Sequence, residues 1–200
     1  MATIKLTKNE LKRQKDQLKM FKRYLPTLIL KKQQLQAEIW AAERELNECR
    51  EAYEKLLKQF DSWIGVFGEP VGFEDGFFRL TELQIERGNV AGVSIPIYKS
   101  AKFEPVPYDL FLVPVWVDKA AVNMQKAMEY DIRVRVAQRK VELLRYELRV
   151  TTQRVNLFEK VKIPECKENI RKISVYLGDA QTAEVVRGKL SKKKLEGVGA

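Results

Sequence analysis

Few side chains in this 200-residue sequence have types and spacings that could support chemistry. The chain contains no histidine, which excludes histidine-based acid–base catalysis and histidine metal ligands. Its two cysteines, Cys49 and Cys166, are too few to form a four-ligand zinc site. Carboxylate pairs such as Glu43 with Glu45 follow a regular helical pattern, in which a solvated helix face is their usual role.

Motifs that bind phosphate or activate a nucleophile are absent from the sequence. It contains no G-x-x-x-x-G-K-[ST] loop, no G-x-G-x-x-G, no C-x-x-C and no G-x-S-x-G elbow. The lysines at 189 and 192–194 could bind nucleic acid or a membrane surface, but without interleaved aromatic residues they are more typical of a solvated tail. The sequence therefore predicts a protein that is not an enzyme by itself and has no catalytic, metal-binding or cofactor-binding residue.

Charge is distributed unevenly along the chain. The formal net charge is +10, to which residues 1–32 contribute +8 and residues 151–200 contribute +5, whereas residues 61–117 carry −4. The N-terminus becomes charged too early for a signal peptide, and no apolar stretch approaches the roughly 20 residues of a membrane span. We therefore expect a cytoplasmic protein. If the chain folds as an antiparallel hairpin, both basic termini lie at one end and the acidic middle lies at the other, so the two ends of the hairpin should meet different electrostatic surroundings.

Two long helices are predicted to position these residues. Thr7 and Glu10 form a capping box, which predicts that the first helix spans residues 7–64. Two columns of residues at seven-residue spacing follow, and 14 of their 16 positions are apolar, which indicates a left-handed coiled coil. Pro26 is predicted to kink this helix. The seam of the first helix is predicted to contain Leu11, Leu18, Leu25, Leu28, Leu35, Ile39, Leu46 and Leu56.

The second helix is predicted over residues 118–178. Its seam is predicted to contain Val134, Val141, Leu144, Leu148, Val155 and Phe158. After Phe158 the phase of the repeat changes, and Pro164 lies at the change, so we expect a kink or local unwinding there. Gly178 is predicted to end the helix, which leaves residues 179–200 as a basic, partly flexible tail.

Residues 65–117 form a Gly- and Pro-rich insert between the helices. Alternating apolar residues predict a β-hairpin over about residues 80–98, with a turn signal at Gly88-Asn89. One helix cannot bury its apolar stripe alone, so the two helices should pair antiparallel, with facing residue numbers that sum to about 180. The predicted fold class is mainly α, one structural domain comprising a long antiparallel two-helix left-handed coiled coil and a small insert with a β-hairpin.

Three segments of the sequence are specific enough to suggest a family. They are LTKNEL at 6–11, NVAGVSIP at 89–96 and RVNLFEKVKIP at 154–164. In this order and spacing, the chain resembles the D subunit of the V-type and A-type rotary ATPases over nearly its whole length. The third segment is the most specific of the three.

The resemblance implies a non-catalytic rotor shaft, or central stalk. In that family the coiled coil and both termini enter the bore of the ring of A and B subunits. The other end, with the F subunit, joins a C-type (d) subunit of the membrane rotor. Rotation then couples ATP hydrolysis or synthesis to proton or sodium transport. The resemblance also implies peripheral membrane association through the complex, with no cofactor, no nucleic acid and no direct membrane insertion.

Two groups of residues are expected to contact partners. Those expected at the A and B ring are Lys5, Lys8, Lys12, Arg13, Arg154, Asn156, Glu159, Lys192, Lys193 and Lys194. Those expected to dock the F subunit or the insert itself are Asn89, Val90, Gly92, Val93 and Ile95. For Gly92 alone a backbone role in the turn is the preferred interpretation. For the polar residues of the third segment, the alternative is a helix surface or an intrahelical pair such as Glu159 with Lys162.

Two other functions compete with the rotor shaft. A prefoldin-like chaperone also joins two long helices through β structure, but the third segment argues against it, and only a chaperone would suppress aggregation of an unfolded client. A basic nucleic-acid-binding coiled coil is disfavoured by the acidic middle of the chain. A steep salt dependence of binding to DNA or RNA would support that function.

Overall fold

A computed structural model of the chain describes residues 4–61, 65, 78–107, 111 and 114–196, with side chains as far as residue 194. The elements, in chain order, are helix α1 (Lys8–Asp61), strands β1 (Phe78–Val90) and β2 (Val93–Pro105), helix α2 (Val117–Asn156), a π-helical turn (Leu157–Lys162) and helix α3 (Ile163–Glu196). The predicted fold class, mainly α with a small antiparallel β-hairpin, is confirmed. The predicted end of the first helix at residue 64 lies outside the described residues.

Helix α1 begins at the predicted capping box. The backbone N–H of Glu10 donates to Thr7 Oγ1 at 3.3 Å, and the backbone N–H of Leu11 donates to the Thr7 carbonyl oxygen at 3.0 Å. The first bond satisfies a donor that the first turn of a helix otherwise leaves without a partner, and the second is the first regular i→i−4 bond of the helix. Pro26 lies inside α1, where it removes one backbone donor, and the kink expected there stays a prediction.

Helix α3 continues past Gly178 to Glu196, eighteen residues beyond the predicted end. A single glycine costs a helix only about 1 kcal/mol relative to alanine, so it does not by itself end one. The hydroxyl of Thr182 donates to the Gly178 carbonyl oxygen at 3.0 Å, within regular helical geometry. Residues 179–196, expected as a flexible tail, are therefore helical in the structure.

The β-hairpin is longer than predicted, and its turn lies elsewhere. Val90 pairs with Val93, so the two-residue loop is Ala91-Gly92 and not Gly88-Asn89. Both loop residues have positive φ, 50° for Ala91 and 79° for Gly92, as a type I′ turn requires. Gly88 lies inside β1, where an added Cβ would come 2.6 Å from Ile97 Cδ1 on the paired strand.

The chain groups into two compact units, and its expected organisation as one structural domain stays a prediction. The central unit comprises Gln33–Arg149, and the terminal unit comprises Met1–Lys32 with Val150–Ala200. Helices as long as α1 and α2 contribute residues to both units, because one small core cannot cover their whole length.

The core of the central unit lies between α1, α2 and the loop end of the hairpin. Its buried members are Leu35, Ile39, Ala42, Leu46, Ile95, Ala137, Val141 and Leu144. Its α1 members lie on the two predicted heptad columns of the first helix, and Val141 and Leu144 are predicted seam residues of the second helix. The seven-residue repeat therefore supplies the helical faces, and the hairpin covers one side of them.

The terminal unit buries side chains at helical spacing. Val155 and Ile173 are buried apolar residues, and Thr151, Cys166 and Asn169 are also buried. Asn169 Nδ2 donates to Gln14 Oε1 at 3.5 Å, which gives a partner to a buried amide. Gln14 is one of the two polar positions in the heptad columns of the first helix.

Side-chain contacts give the helices an antiparallel register within each unit. The contacting pairs are Glu43 with Arg145, Glu45 with Lys140, Phe21 with Phe158, and Gln14 with Asn169. The two residue numbers of each pair sum to between 179 and 188, close to the 180 predicted from the sequence.

Among the described residues, no helix is both long and apolar enough to cross a membrane.

Candidate functional site

The hairpin packs onto the helices of the central unit through its loop end. We call Val90, Ala91, Val93 and Ile95 the hairpin tip. Ile95 is only 3% exposed and belongs to the core, and the other three residues pack against that core. Val90, Val93 and Ile95, three of the residues expected to dock the F subunit or the insert itself, therefore lie in a contact within the chain.

The remaining two residues of that group shape the turn. Asn89 Oδ1 accepts a hydrogen bond from the backbone N–H of Gly92 at 2.9 Å. This side-chain contact spans the loop and holds Ala91 and Gly92 in the left-handed conformation that the turn needs. Gly92 accordingly has the backbone role in the turn that the sequence favours for it.

A polar cluster fixes the hairpin to α2 a few residues from the tip. The Tyr98 hydroxyl donates to Glu129 Oε1 at 3.1 Å, and Arg133 Nη2 donates to the same oxygen at 2.6 Å. The Arg133 guanidinium also lies over the Tyr98 ring, with Cζ 5.1 Å from its centroid. We call Tyr98, Glu129 and Arg133 the hairpin network. Burial and the hydrogen bond to Glu129 raise the pKa of Tyr98 above its ordinary value.

The hairpin network was not predicted from the sequence. Tyr98 and Glu129 are 31 residues apart and belong to different elements, so no local spacing connects them. The available signal was the i, i+4 spacing of Glu129 and Arg133, which is typical of an ion pair on one helix face.

The acidic residues Glu43 and Glu45 each pair with a basic residue of α2. Arg145 donates to Glu43 Oε1 through Nε at 3.0 Å and through Nη2 at 2.5 Å. Lys140 Nζ donates to Glu45 Oε2 at 2.7 Å. In the heptad count Glu43 and Arg145 are both e positions, and Glu45 and Lys140 are both g positions, so the pairs flank the seam. These carboxylates therefore stabilise the helix pairing.

An open apolar groove of about 520 Å³ lies elsewhere in the central unit. Its lining residues are Tyr53, Leu57, Phe60, Phe78, Met124, Ala127, Met128 and Asp131. Leu57 and Met128 are 41% and 43% exposed, so solvent contacts much of this apolar lining. Asp131, the charged residue of the lining, pairs with Arg135 at 2.7 Å.

The third sequence segment lies at the π turn of the terminal unit. Arg154, Asn156 and Glu159 are all exposed. Lys162 Nζ pairs with Glu165 at 3.0 Å, and not with Glu159 as the alternative interpretation expected. The three residues therefore present polar groups at the surface of the unit, as both a partner contact and the alternative of a helix surface require, and the partner contact stays a prediction.

The basic residues expected at the ring are exposed as well. Lys5, Lys8, Lys12 and Arg13 lie at or just before the start of α1, and residues 192–194 lie near the end of α3. Arg13 Nη1 is 3.8 Å from Glu10 Oε2, a weak exposed pair. Lys12 and Arg13 also line a shallow surface depression.

Both cysteines are free thiols in helices. Cys49 is half-buried in the central unit, and Cys166 is buried in the terminal unit. Burial raises the pKa of both thiols, with smaller contributions from Glu45 at Cys49 and Glu165 at Cys166. A raised thiol pKa reduces the thiolate fraction at neutral pH, so both cysteines are better suited to packing than to nucleophilic chemistry.

Comparison with known protein sequences shows the family to which the chain belongs. The family model that describes the D subunit of ATP synthase matches residues 10–193. The chain belongs to the ATP synthase D-subunit family. It is 47% identical to the V-type ATP synthase D subunit of Borreliella burgdorferi, over 98% of this chain and 96% of that protein. It is 35% identical to the V-type ATP synthase D subunit of Chlamydia abortus, over 98% of this chain and 95% of that protein.

The D-subunit match covers most of the features described above, but not the Thr7 cap, the first lysines of the chain or the end of α3 from Lys194 onward. The hairpin tip, the hairpin network and the π turn all lie between residues 10 and 193, whereas Lys5 and Lys8 precede the matched range.

Proposed function

We propose that this chain is the non-catalytic central-stalk subunit of a V/A-type ATPase. It assembles with the A and B catalytic subunits, with the F subunit, and with the C-type (d) subunit that leads to the membrane rotor. Its rotation couples ATP hydrolysis or synthesis in the A and B ring to ion translocation. The observation that carries the proposal is the match of residues 10–193 to the D-subunit family, together with relatives named as the D subunit of V-type ATP synthases.

The helix pairing of each unit supports this role. A component that transmits torque needs side chains that resist sliding, and a seam of interdigitating residues supplies that resistance. Leu35 and Leu144 in the central unit and Ile173 in the terminal unit are all fully buried. The ion pairs Glu43–Arg145 and Glu45–Lys140 add lateral contacts on both sides of the central seam.

The surface charge suggests how such a subunit meets the ring. Residues 1–32 and 151–200 together carry +13. Exposed lysines and arginines attract an acidic surface over several ångströms, and such guidance permits rotation because it does not depend on one fixed contact. We therefore propose that Lys12 and Arg13 on α1 and Arg154 near the π turn make the ring contacts that depend on charge. The exposed polar residues Asn156 and Glu159 beside Arg154 are proposed to contact the ring as well.

Purification of the complex tests the assembly. A tagged full-length chain, purified from its native source in mild detergent, should co-elute with nucleotide-binding A and B subunits and a small F subunit, and the eluate should hydrolyse ATP. Mass spectrometry identifies the partners. Recovery of the chain with client-like proteins or nucleic acid, and without ATPase subunits, would contradict the proposal and favour a chaperone or a nucleic-acid-binding protein.

A further inference from the structure

The seven-residue repeat of the second helical segment contains one extra residue near the π turn. Counting by seven from Leu144 gives Thr151, Phe158 and then Glu165 as seam positions. Leu144 and Thr151 are buried as the count requires, but Glu165 is exposed and the next residue, Cys166, is buried instead at 3% exposure. The buried column therefore moves by one residue between Phe158 and Cys166.

The π turn accommodates this extra residue. It spans Leu157–Lys162, and at its end the backbone N–H of Ile163 donates to the carbonyl oxygen of Phe158, five residues earlier. An α-helix would place that bond four residues earlier, so a π turn takes up one more residue. Buried positions then resume at seven-residue spacing, from Cys166 to Ile173. The seam keeps facing its partner on both sides of the turn.

The location of the turn follows from Pro164. Proline has no backbone N–H, and in an α-helix its ring crowds the carbonyl group four residues earlier. A change of hydrogen-bond register directly before Pro164 falls where a regular bond would be missing in any case. The register change therefore costs less here than it would elsewhere in the helix.

The π turn is also loosely packed. None of its six side chains, all of them described, is buried. Its aromatic contact is that of Phe158 with Phe21, whose ring centroids are 5.0 Å apart. Leu157 and Val161 are 44% and 49% exposed. Little tight packing therefore opposes a change of twist at this turn.

We propose that the π turn is a torsional joint. The one extra residue next to Pro164 allows the helix to change its twist at this point, while the buried seams before and after the turn stay packed. The proposal deepens the proposed function, because a joint of this kind matters where the chain transmits torque. Its structural half, the extra residue, is tested independently of any activity.

Single-residue deletions test the structural half in the full chain. Deleting Lys160, an exposed residue of the π turn, should restore an uninterrupted seven-residue count but leave Pro164 inside a continuous α-helix, so the melting temperature should fall by less than in a deletion that shifts the seam. Deleting Lys19, an exposed lysine of α1 in the same unit, removes the same charge. The Lys19 deletion rotates the part of the α1 seam on one side of residue 19 by about 100° relative to the part on the other side. It should therefore lower the melting temperature by about 5 °C or more. Equal losses in both variants would overturn the proposal.

Hydrogen exchange measures the looseness of the turn directly. In the wild type, amides of residues 157–163 should exchange at least about tenfold faster than those of the flanking helices, because they lie outside the tightly buried seam. In the Lys160 deletion the difference should disappear. Wild-type protection equal to that of the flanks would contradict a joint.

Coupled transport tests the functional half. In complexes reconstituted into vesicles, the Lys160 deletion should assemble and hydrolyse ATP but move at least about twofold fewer ions per ATP, because the joint is gone. An unchanged ratio would overturn the joint and leave the stalk role intact. If the wild-type chain itself does not support coupled transport, the proposed function fails, while the unfolding and exchange results still decide whether the extra residue exists.

Discussion

Replacing Ile95 by alanine should detach the hairpin from the helices of the central unit. Ile95 is 3% exposed and packs among core residues of both α1 and α2. Truncating a buried isoleucine usually costs about 2–5 kcal/mol, with smaller values where neighbours can close the cavity. Val90 and Val93 are only partly buried beside it and can move inward, so we expect a loss of about 2–3 kcal/mol. For a chain of this length that corresponds to a decrease in melting temperature of about 5–10 °C.

The matched control is Ile85→Ala on strand β1. Ile85 is 44% exposed, so the same truncation should cost about 0.5 kcal/mol. Thermal and urea unfolding of the full chain, followed by circular dichroism at 222 nm, measure both variants. Equal losses for the two substitutions would refute the conclusion that the hairpin tip is anchored in the helical core.

Three further predictions concern polar groups and thiols. The free energy of unfolding should fall as pH rises above about 10, because the folded state raises the pKa of Tyr98 and so retains the hydroxyl proton to higher pH than the unfolded state does. In Tyr98→Phe, unfolding free energies measured between pH 9 and 11 should lack this decrease. If the variant shows the same pH dependence as the wild type, the Tyr98 contribution is contradicted. Gln14→Leu should lower the free energy of unfolding by about 1–2 kcal/mol, because it leaves the buried Asn169 amide without its partner. In the same urea assay, the double variant Gln14→Leu with Asn169→Leu should recover this loss. Cys49 should react with iodoacetamide more slowly than free cysteine at pH 8, because its thiol pKa is raised; faster reaction would contradict that environment.

The features predicted correctly from the sequence depend on residues close together in the chain. The capping box at Thr7 requires only residues three positions apart, and its hydrogen bond is present. The seven-residue columns predicted which helix faces are buried, since Leu35 and Leu144 on those columns are both fully buried. The change of phase after Phe158 indicated local unwinding, and a π turn follows at that place.

The errors and omissions arise where tertiary packing decides. Gly88-Asn89 resembles a turn in isolation, but strand pairing moves the loop to Ala91-Gly92 because the tip must reach the helices. Gly178 is a weak helix breaker in a helix that gains hydrogen bonds on both sides of it. The hairpin network joins elements far apart in sequence, so no spacing rule predicts it.

Rotation of the chain within an assembled complex tests the central claim most directly. The A and B ring would be fixed to a surface, and a probe attached through Glu104→Cys, an exposed position on β2. A complex with only the native cysteines, which have raised thiol pKa values, controls for labelling elsewhere. The central-stalk proposal predicts that ATP drives stepwise, one-directional rotation of the probe. A probe that stays fixed while the complex hydrolyses ATP would contradict it.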